Sequence, residues 1–201
     1  MVTAASSRRF TIDDLEQFPD DGKRRELVDG EIVEWDVPNF EHAFFMHVLA
    51  RIIGLHVLER RLGAVVEGDL MVRILGSRHN SRGADIAFYR RGHIPADRRA
   101  AATVGVPDFV VELISPLDRD VEVQRKIADW LRTGVKLLWY VNPETGCTTV
   151  YHRDQVSDFG PDEDLTGEDV IPGLRLRIQD VHDELAEVIG PEEGTDDQAQ
   201  P

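Results

Sequence analysis

Phe109-Val110-Val111-Glu112-Leu113-Ile114 reads as an apolar strand with a single carboxylate set inside it. A charged side chain is rarely found in such a run unless it is paired or holds a metal. Glu112 is therefore the first candidate functional residue. Two features elsewhere give it partners. Asp85 sits in a second strand-like run, Ala84-Asp85-Ile86-Ala87-Phe88-Tyr89, and Lys126 sits in the helical stretch that follows Glu112. Two strand carboxylates with a nearby ammonium can hold a divalent cation and stabilise a transferring phosphate.

Asp108 is nearer to Glu112 in sequence, but strand geometry excludes it as a co-ligand. Four residues along one strand put them roughly 13 Å apart at about 3.3 Å per residue. One cation with ligands near 2.3 Å cannot bridge that gap, so Asp108 is expected to be a turn acid at the start of the strand. Asp85 and Glu112 lie on separate strands, where opposed side chains can approach to about 5 Å. The alternative leaves Asp85 at a solvated strand edge and Glu112 paired to an arginine. Lys126 borders the apolar stripe of Val123, Ile127 and Trp130, so it lies beside the face packed on the sheet. It could snorkel to water or reach over the strand end towards Glu112.

Around this core the chain spells a mixed α/β (α+β) pattern. Residues 11–18 read as a short helix capped by Thr11. Residues 25–28 and 31–35 flank Asp29-Gly30, a strong hairpin signal. Pro38-Asn39 opens a long helix to about Arg61, with an apolar stripe of Phe45, Val48, Leu49, Ile52, Ile53 and Leu55, and Gly63 ends it. Strands follow at 64–74 and 84–89, joined by a Gly/Ser/Arg/Asn turn, and a looser segment runs through Ala102. Ser115-Pro116 stops the strand at 109–114. Asp118 or Asp120 caps a helix to about Thr133, and Gly134 is its C-cap. Strand 135–141, a turn and strand 148–152 form another hairpin. Leu174, Leu176 and Ile178 mark a short apolar segment, and about one helical turn is expected within 181–189. The expected architecture is one domain over 1–190, a mixed sheet flanked by helices with an N-terminal hairpin, and a disordered acidic tail over 191–201.

Composition narrows the function classes. The 201 residues, 41% of them hydrophobic, suffice for one sizeable core. A single cysteine, Cys147, excludes an internal disulfide and a cysteine zinc cluster, and fits a cytoplasmic setting. The N-terminal residues do not spell a secretory signal, and the apolar stretches read as too short for a membrane helix, so no membrane partner is expected. The formal charge of −15 argues against a polyanionic partner, but its distribution is uneven. Residues 160–201 hold 13 acids and 2 arginines, whereas residues 73–99 hold seven arginines against Asp85 and Asp97. This locally basic stretch can meet nucleic acid, or it is a solvated arginine-rich hairpin. The seven histidines show no His-Glu-x-x-His spacing, and no Walker loop, dinucleotide glycine pattern or Gly-x-Ser-x-Gly elbow is present.

Taken in order, the hairpin Glu26-Leu27-Val28-Asp29-Gly30-Glu31-Ile32-Val33, Pro38-Asn39-Phe40-Glu41-His42, the Asp85 block, Pro107 through Pro116, Lys126, Trp130 and Leu138-Trp139-Tyr140-Val141-Asn142-Pro143 form a recognisable series. Over about residues 11–180 the chain resembles the Uma-two restriction-endonuclease family, a branch of the PD-(D/E)XK nuclease superfamily. The resemblance implies a restriction-endonuclease-like sheet and an endonuclease site dependent on Mg²⁺ (or Mn²⁺), with DNA as substrate. It maps the motif aspartate to Asp85 and the motif acid to Glu112, with the Leu113 carbonyl as a further metal ligand. The motif proline is replaced by Ala84, and the motif lysine falls at Ile114. Lys126 matches a lysine displaced onto the following helix. Glu26 matches a third acid and His42 a phosphate contact. A homodimer accords with duplex cleavage, which needs two sites or two events. The runner-up is a catalytically weak or inactive module that binds nucleic acid or a partner on the same scaffold. A third class is a small-molecule metal hydrolase.

Overall fold

A computed structural model describes residues 9–190 apart from 16, 20, 22, 36–38, 75, 98, 100–104 and 115–119, together with the backbone but not the side chain of Asp69. The expectations placed on Pro38, Ala102, Ser115-Pro116, Asp118 and the 191–201 tail lie outside the described residues. The elements run α1 (Ile12–Leu15), β1 (Arg24–Val28), β2 (Glu31–Trp35), α2 (Phe40–Glu59), β3 (Gly63–Arg73), β4 (Ser81–Arg90), β5 (Phe109–Leu113), α3 (Asp120–Thr133), β6 (Leu137–Val141), β7 (Thr148–His152), β8 (Gln155–Phe159), β9 (Leu165–Thr166), β10 (Arg175–Leu176) and α4 (Ile178–Ile189).

Local chemistry explains most of the boundaries. Thr11 Oγ1 accepts from Asp14 N at 3.2 Å while Asp14 Oδ2 accepts from Thr11 N at 2.8 Å, a reciprocal cap on a helix of one turn. Asp29 and Gly30 both have positive φ (51° and 87°), the geometry that a two-residue hairpin needs. Asn39 Oδ1 caps α2 by accepting from His42 N at 2.8 Å. Arg61, at φ 54°, leaves the helix in the left-handed region, not Gly63. Gly63 has a different reason to be glycine: a Cβ there would lie 1.9 Å from Tyr89 O on the adjoining strand.

The principal sheet has eight strands in the order β2-β1-β4-β5-β6-β7-β8, with β3 also pairing β4. Among the described strand pairs only β5 and β6 are parallel, joined through α3. Ser81 at the start of β4 pairs with both Leu27 of β1 and Arg73 of β3, and Phe88 further on pairs with both Phe109 of β5 and Val65 of β3. β3 thus occupies one edge of β4, while β1 and β5 share the other. β1 meets β4 at residue 81 and β5 meets it at 86–88. The intervening residues of β4 face a fork between β1 and β5.

Alternation sorts the core onto the two faces of this sheet. Ile86, Phe88, Phe109, Val111, Leu137 and Trp139 pack with Phe45, Leu49 and Ile53 of α2 and with Ile178 and Val181 of α4. Ala87, Tyr89, Val110, Leu138 and Tyr140 pack with Ile127 and Trp130 of α3. Glu112 follows Val110 by two residues, so it faces α3.

Several sequence expectations need correction. α2 runs 20 residues and, by length and composition alone, is apolar enough to cross a membrane, contrary to the expectation that no stretch approached that length. Phe45, Val48, Leu49, Ala50, Ile53 and Val57 are buried in the core, which accounts for one side of that apolar composition. Leu55, expected in the stripe, is 48% exposed, because the buried arc falls on Ala50 and Val57 instead. β4 begins at Ser81, so part of the expected turn is strand. α4 is a 12-residue helix, not one turn, and β8 is an additional strand at the end of the sheet.

Candidate functional site at the strand fork

Three strands deliver carboxylates to the fork. β1 brings Glu26, β4 brings Asp85 and β5 brings Glu112, and all three are at most 4% exposed. The β4–β5 register pairs Ile86 with Val111, so one step further places Asp85 opposite Glu112. Asp85 Oδ2 accepts from the Leu113 backbone N at 2.8 Å, which ties the two strands where they begin to part.

α3 supplies the groups that close the fork. Lys126 Nζ donates to Glu112 Oε2 at 2.6 Å and lies 3.5 Å from Glu26 Oε1. Trp130 Nε1, one helical turn on, donates to Glu112 Oε1 at 2.7 Å. Each oxygen of Glu112 therefore has a donor from α3. The Trp35 ring on β2 lies with its centroid 5.9 Å from the Lys126 ammonium.

A second tier supports the first. Glu26 Oε1 accepts from Gly83 N at 2.9 Å, and Glu26 Oε2 accepts from Arg82 Nη1 at 3.2 Å. The same Arg82 donates through Nε to Asp129 Oδ2 at 2.8 Å, and Asp129 also takes a hydrogen bond from Arg132. Arg24 Nη2 donates to Asp85 Oδ1 at 3.1 Å. Among the described residues the cluster thus contains four carboxylates (Glu26, Asp85, Glu112, Asp129) and four cations (Arg24, Arg82, Lys126, Arg132).

These neighbours divide the protons unequally. Burial raises Glu112, and with the charges of Asp85 and Glu26 it outweighs the pull of Lys126, pushing the carboxyl up to about 8. For Asp85, burial is outweighed by Lys126, Arg24, the Leu113 N–H and His42, so it is held below the usual aspartate value. Glu26 is likewise held low despite burial, by Lys126, Arg82, Arg24 and the Gly83 N–H. Burial would pull Lys126 down, but Glu112, Glu26 and Asp85 hold its ammonium protonated above the ordinary lysine range.

The structure thus brings together Glu26, Asp85, Glu112, Lys126 and Leu113 of the residues singled out from sequence. Half-buried His42, at the first turn of α2, is close enough to help hold Asp85 below its usual value. Neither alternative for the two acids matches the geometry: Asp85 is buried against Arg24, and Glu112 is paired to a lysine and an indole. Asp108 sits at the N-terminal end of β5, taking hydrogen bonds from Arg90 N, His93 Nδ1 and Lys136 Nζ at 2.8–2.9 Å. The cluster residues missed from sequence are Arg24, Arg82, Asp129 and Arg132. Arg24 had a signal: it precedes Glu26 by two residues, hence on the same strand face.

Residues 12–179 match the Uma2 family, whose description is "Putative restriction endonuclease". The chain belongs to that family. A solved structure of a protein described as a putative nuclease belonging to DUF820, from Anabaena variabilis, superposes with a TM-score of 0.76 at 21% identity, covering 88% of this chain and 99% of that one. That likeness shows a shared fold. No curated protein matches the sequence.

The family implies a divalent metal, and the donor set can be tested against one. Among the described residues no three His, Cys, Asp or Glu side chains are gathered closely enough to hold a metal by themselves. Mg²⁺ commonly takes only one or two carboxylates and keeps several waters. Asp85 and Glu112 offer hard oxygens, each with one N–H donor and a lone pair remaining. The chemistry of the set fits Mg²⁺ or Mn²⁺.

Proposed function

We propose that this Uma2 member is a divalent-metal-dependent endonuclease that hydrolyses phosphodiester bonds, with DNA as substrate. The observation that carries the proposal is the convergence of Glu26, Asp85, Glu112 and Lys126 in one buried cluster at the strand fork. Asp85 and Glu112 would hold Mg²⁺ with the Leu113 carbonyl, and the ion would supply Lewis-acid stabilisation and a more acidic water. Lys126 keeps its proton and places a positive charge beside Glu112 where charge builds on phosphorus. In the hydrolysis a water oxygen bonds to phosphorus and the bond to the leaving sugar oxygen breaks. The proton lost by water is matched by the one the leaving oxygen takes up.

The test is cleavage of supercoiled plasmid in Mg²⁺ or Mn²⁺ by the wild type and by D85N, E112Q and K126M. Each substitution should lower the rate at least about 100-fold with the fold retained by circular dichroism. Variants as active as the wild type would remove the assignment. One observation favours the second reading, a non-catalytic nucleic-acid or partner-binding module: the four carboxylates are already matched by four cations. That reading predicts no measurable Mn²⁺ binding and no cleavage, with DNA binding intact.

A further inference from the structure

Among the cations that touch the three fork carboxylates Glu26, Asp85 and Glu112, Arg24 is the most exposed. Its side chain is 19% exposed, against 11% for Lys126 and 4% for Arg82. It reaches Asp85 through one nitrogen at 3.1 Å, whereas Lys126 and Arg82 approach Glu112 and Asp129 to 2.6 Å. It stands on β1 of the N-terminal hairpin, while Lys126 and Trp130 stand on a helix packed into the core. Its contact with Asp85 is therefore longer and wetter than the Lys126–Glu112 and Arg82–Asp129 pairs, and more easily exchanged than either.

The oxygen it covers, Asp85 Oδ1, belongs to the carboxylate that the proposed reaction needs for a metal. A guanidinium and a divalent cation cannot both sit against that oxygen without strong like-charge repulsion. Charge counting gives the guanidinium a second place to go. With the four described acids all ionised against the four described bases, loading a divalent ion leaves the site two positive charges in excess. A phosphodiester carries one negative charge, and two as hydroxide adds to phosphorus. A planar fork of N–H donors suits phosphate oxygens better than any other side chain does. Arg24 stands at the rim of the cluster, on the N-terminal hairpin.

We propose that Arg24 is a displaceable counter-ion: it holds Asp85 in the metal-free protein, yields that carboxylate to a divalent cation, and then contacts the scissile phosphate. This rests on the nuclease reading and adds a residue outside the sequence-derived set. The two functions of Arg24 have opposite signatures, which a merely structural arginine would not show. Removing it should help the metal and harm the reaction.

The experiment uses the full chain with Mn²⁺ as probe. Calorimetric titration without DNA gives the Mn²⁺ dissociation constant, and single-turnover plasmid cleavage at saturating Mn²⁺ gives the rate. Arg24→Gln should bind Mn²⁺ about tenfold more tightly, since one unit charge is lost beside the site. It should cleave about 10- to 100-fold more slowly, as for the loss of a hydrogen bond to a charged group. Arg24→Lys keeps the charge but not the fork, so its Mn²⁺ affinity should stay near wild type while cleavage recovers only in part. It also gives the result if the glutamine variant does not fold. Unchanged or weaker Mn²⁺ binding by Arg24→Gln, or full cleavage by either variant, overturns the inference while leaving the nuclease reading standing. A wild type that neither binds Mn²⁺ nor cleaves overturns both.

Discussion

Replacing Arg82 by methionine tests whether the buried ion network holds the fork together. The guanidinium has 4% side-chain exposure and lies between Glu26 at 0% and Asp129 at 4%. Methionine keeps much of the length but none of the five donors. Glu26 would then retain the Gly83 N–H at 2.9 Å and the distant Lys126 at 3.5 Å, and Asp129 would retain Arg132. Breaking a buried pair by removing one partner costs about 3–5 kcal/mol, because an uncompensated charge stays behind. For a domain of this size that corresponds to a fall in Tm of roughly 6–20 °C. The assay is urea unfolding followed by circular dichroism, with an unchanged m-value marking a true stability loss. E26Q in the same background should recover part of the loss, as a coupling on the order of 1–3 kcal/mol in the double-mutant cycle. A loss below about 1 kcal/mol, or strict additivity with E26Q, would refute the claim that Arg82 organises the cluster.

Two further outcomes follow from particular groups. Glu112 is raised to about 8 by burial, so between the ordinary glutamate range and pH 8 the native protein holds a proton that the unfolded chain has lost. Its contribution to metal-free stability therefore falls as pH rises through that window. Mn²⁺ affinity should rise about 50-fold from pH 6 to pH 8, because the ion binds the carboxylate and not the acid. Calorimetry in two buffers should count about one proton released at pH 6, E112Q should flatten the profile, and a flat wild-type profile contradicts the assignment. Gly63→Ala puts a methyl group 1.9 Å from Tyr89 O, so it should separate the β3–β4 pair at its outer end and lower stability by about 1–3 kcal/mol in the same urea assay. A neutral result would mean that the β3–β4 register is not held there.

The sequence was legible wherever one local rule decided the outcome. Asp29-Gly30 imposes the hairpin because both residues must take positive φ, and 109–113 is a strand because five consecutive buried positions leave little else. β8 was not legible, since four of its five residues are exposed and the alternation that marks a strand is missing. Arg82 was not legible either. In the sequence it belongs to an arginine-rich turn, yet β1 and β3 both pair with Ser81 beside it and extend β4 through it. Only that long-range pairing buries Arg82 between Glu26 and Asp129, and no local window contains it. Likewise the four acids and bases were readable one by one, while their matching depends on which edge of β4 receives β1.

Lys126 shows how a helix packed against the fork places a charge beside a strand carboxylate. Position 114 follows Glu112 by two residues on the same strand face, and Ile114 packs there with the cluster that holds Ile127 and Trp130. Lys126 descends from α3 onto the same spot, 2.6 Å from Glu112 and 3.5 Å from Glu26, and its neighbour one turn on, Trp130, fixes the other oxygen of Glu112. The helix therefore delivers both the charge and the restraint, and the strand is left free to be apolar. Under the proposed function the site needs an ammonium over the fork, and a helix packed on that face can supply it as directly as a strand can.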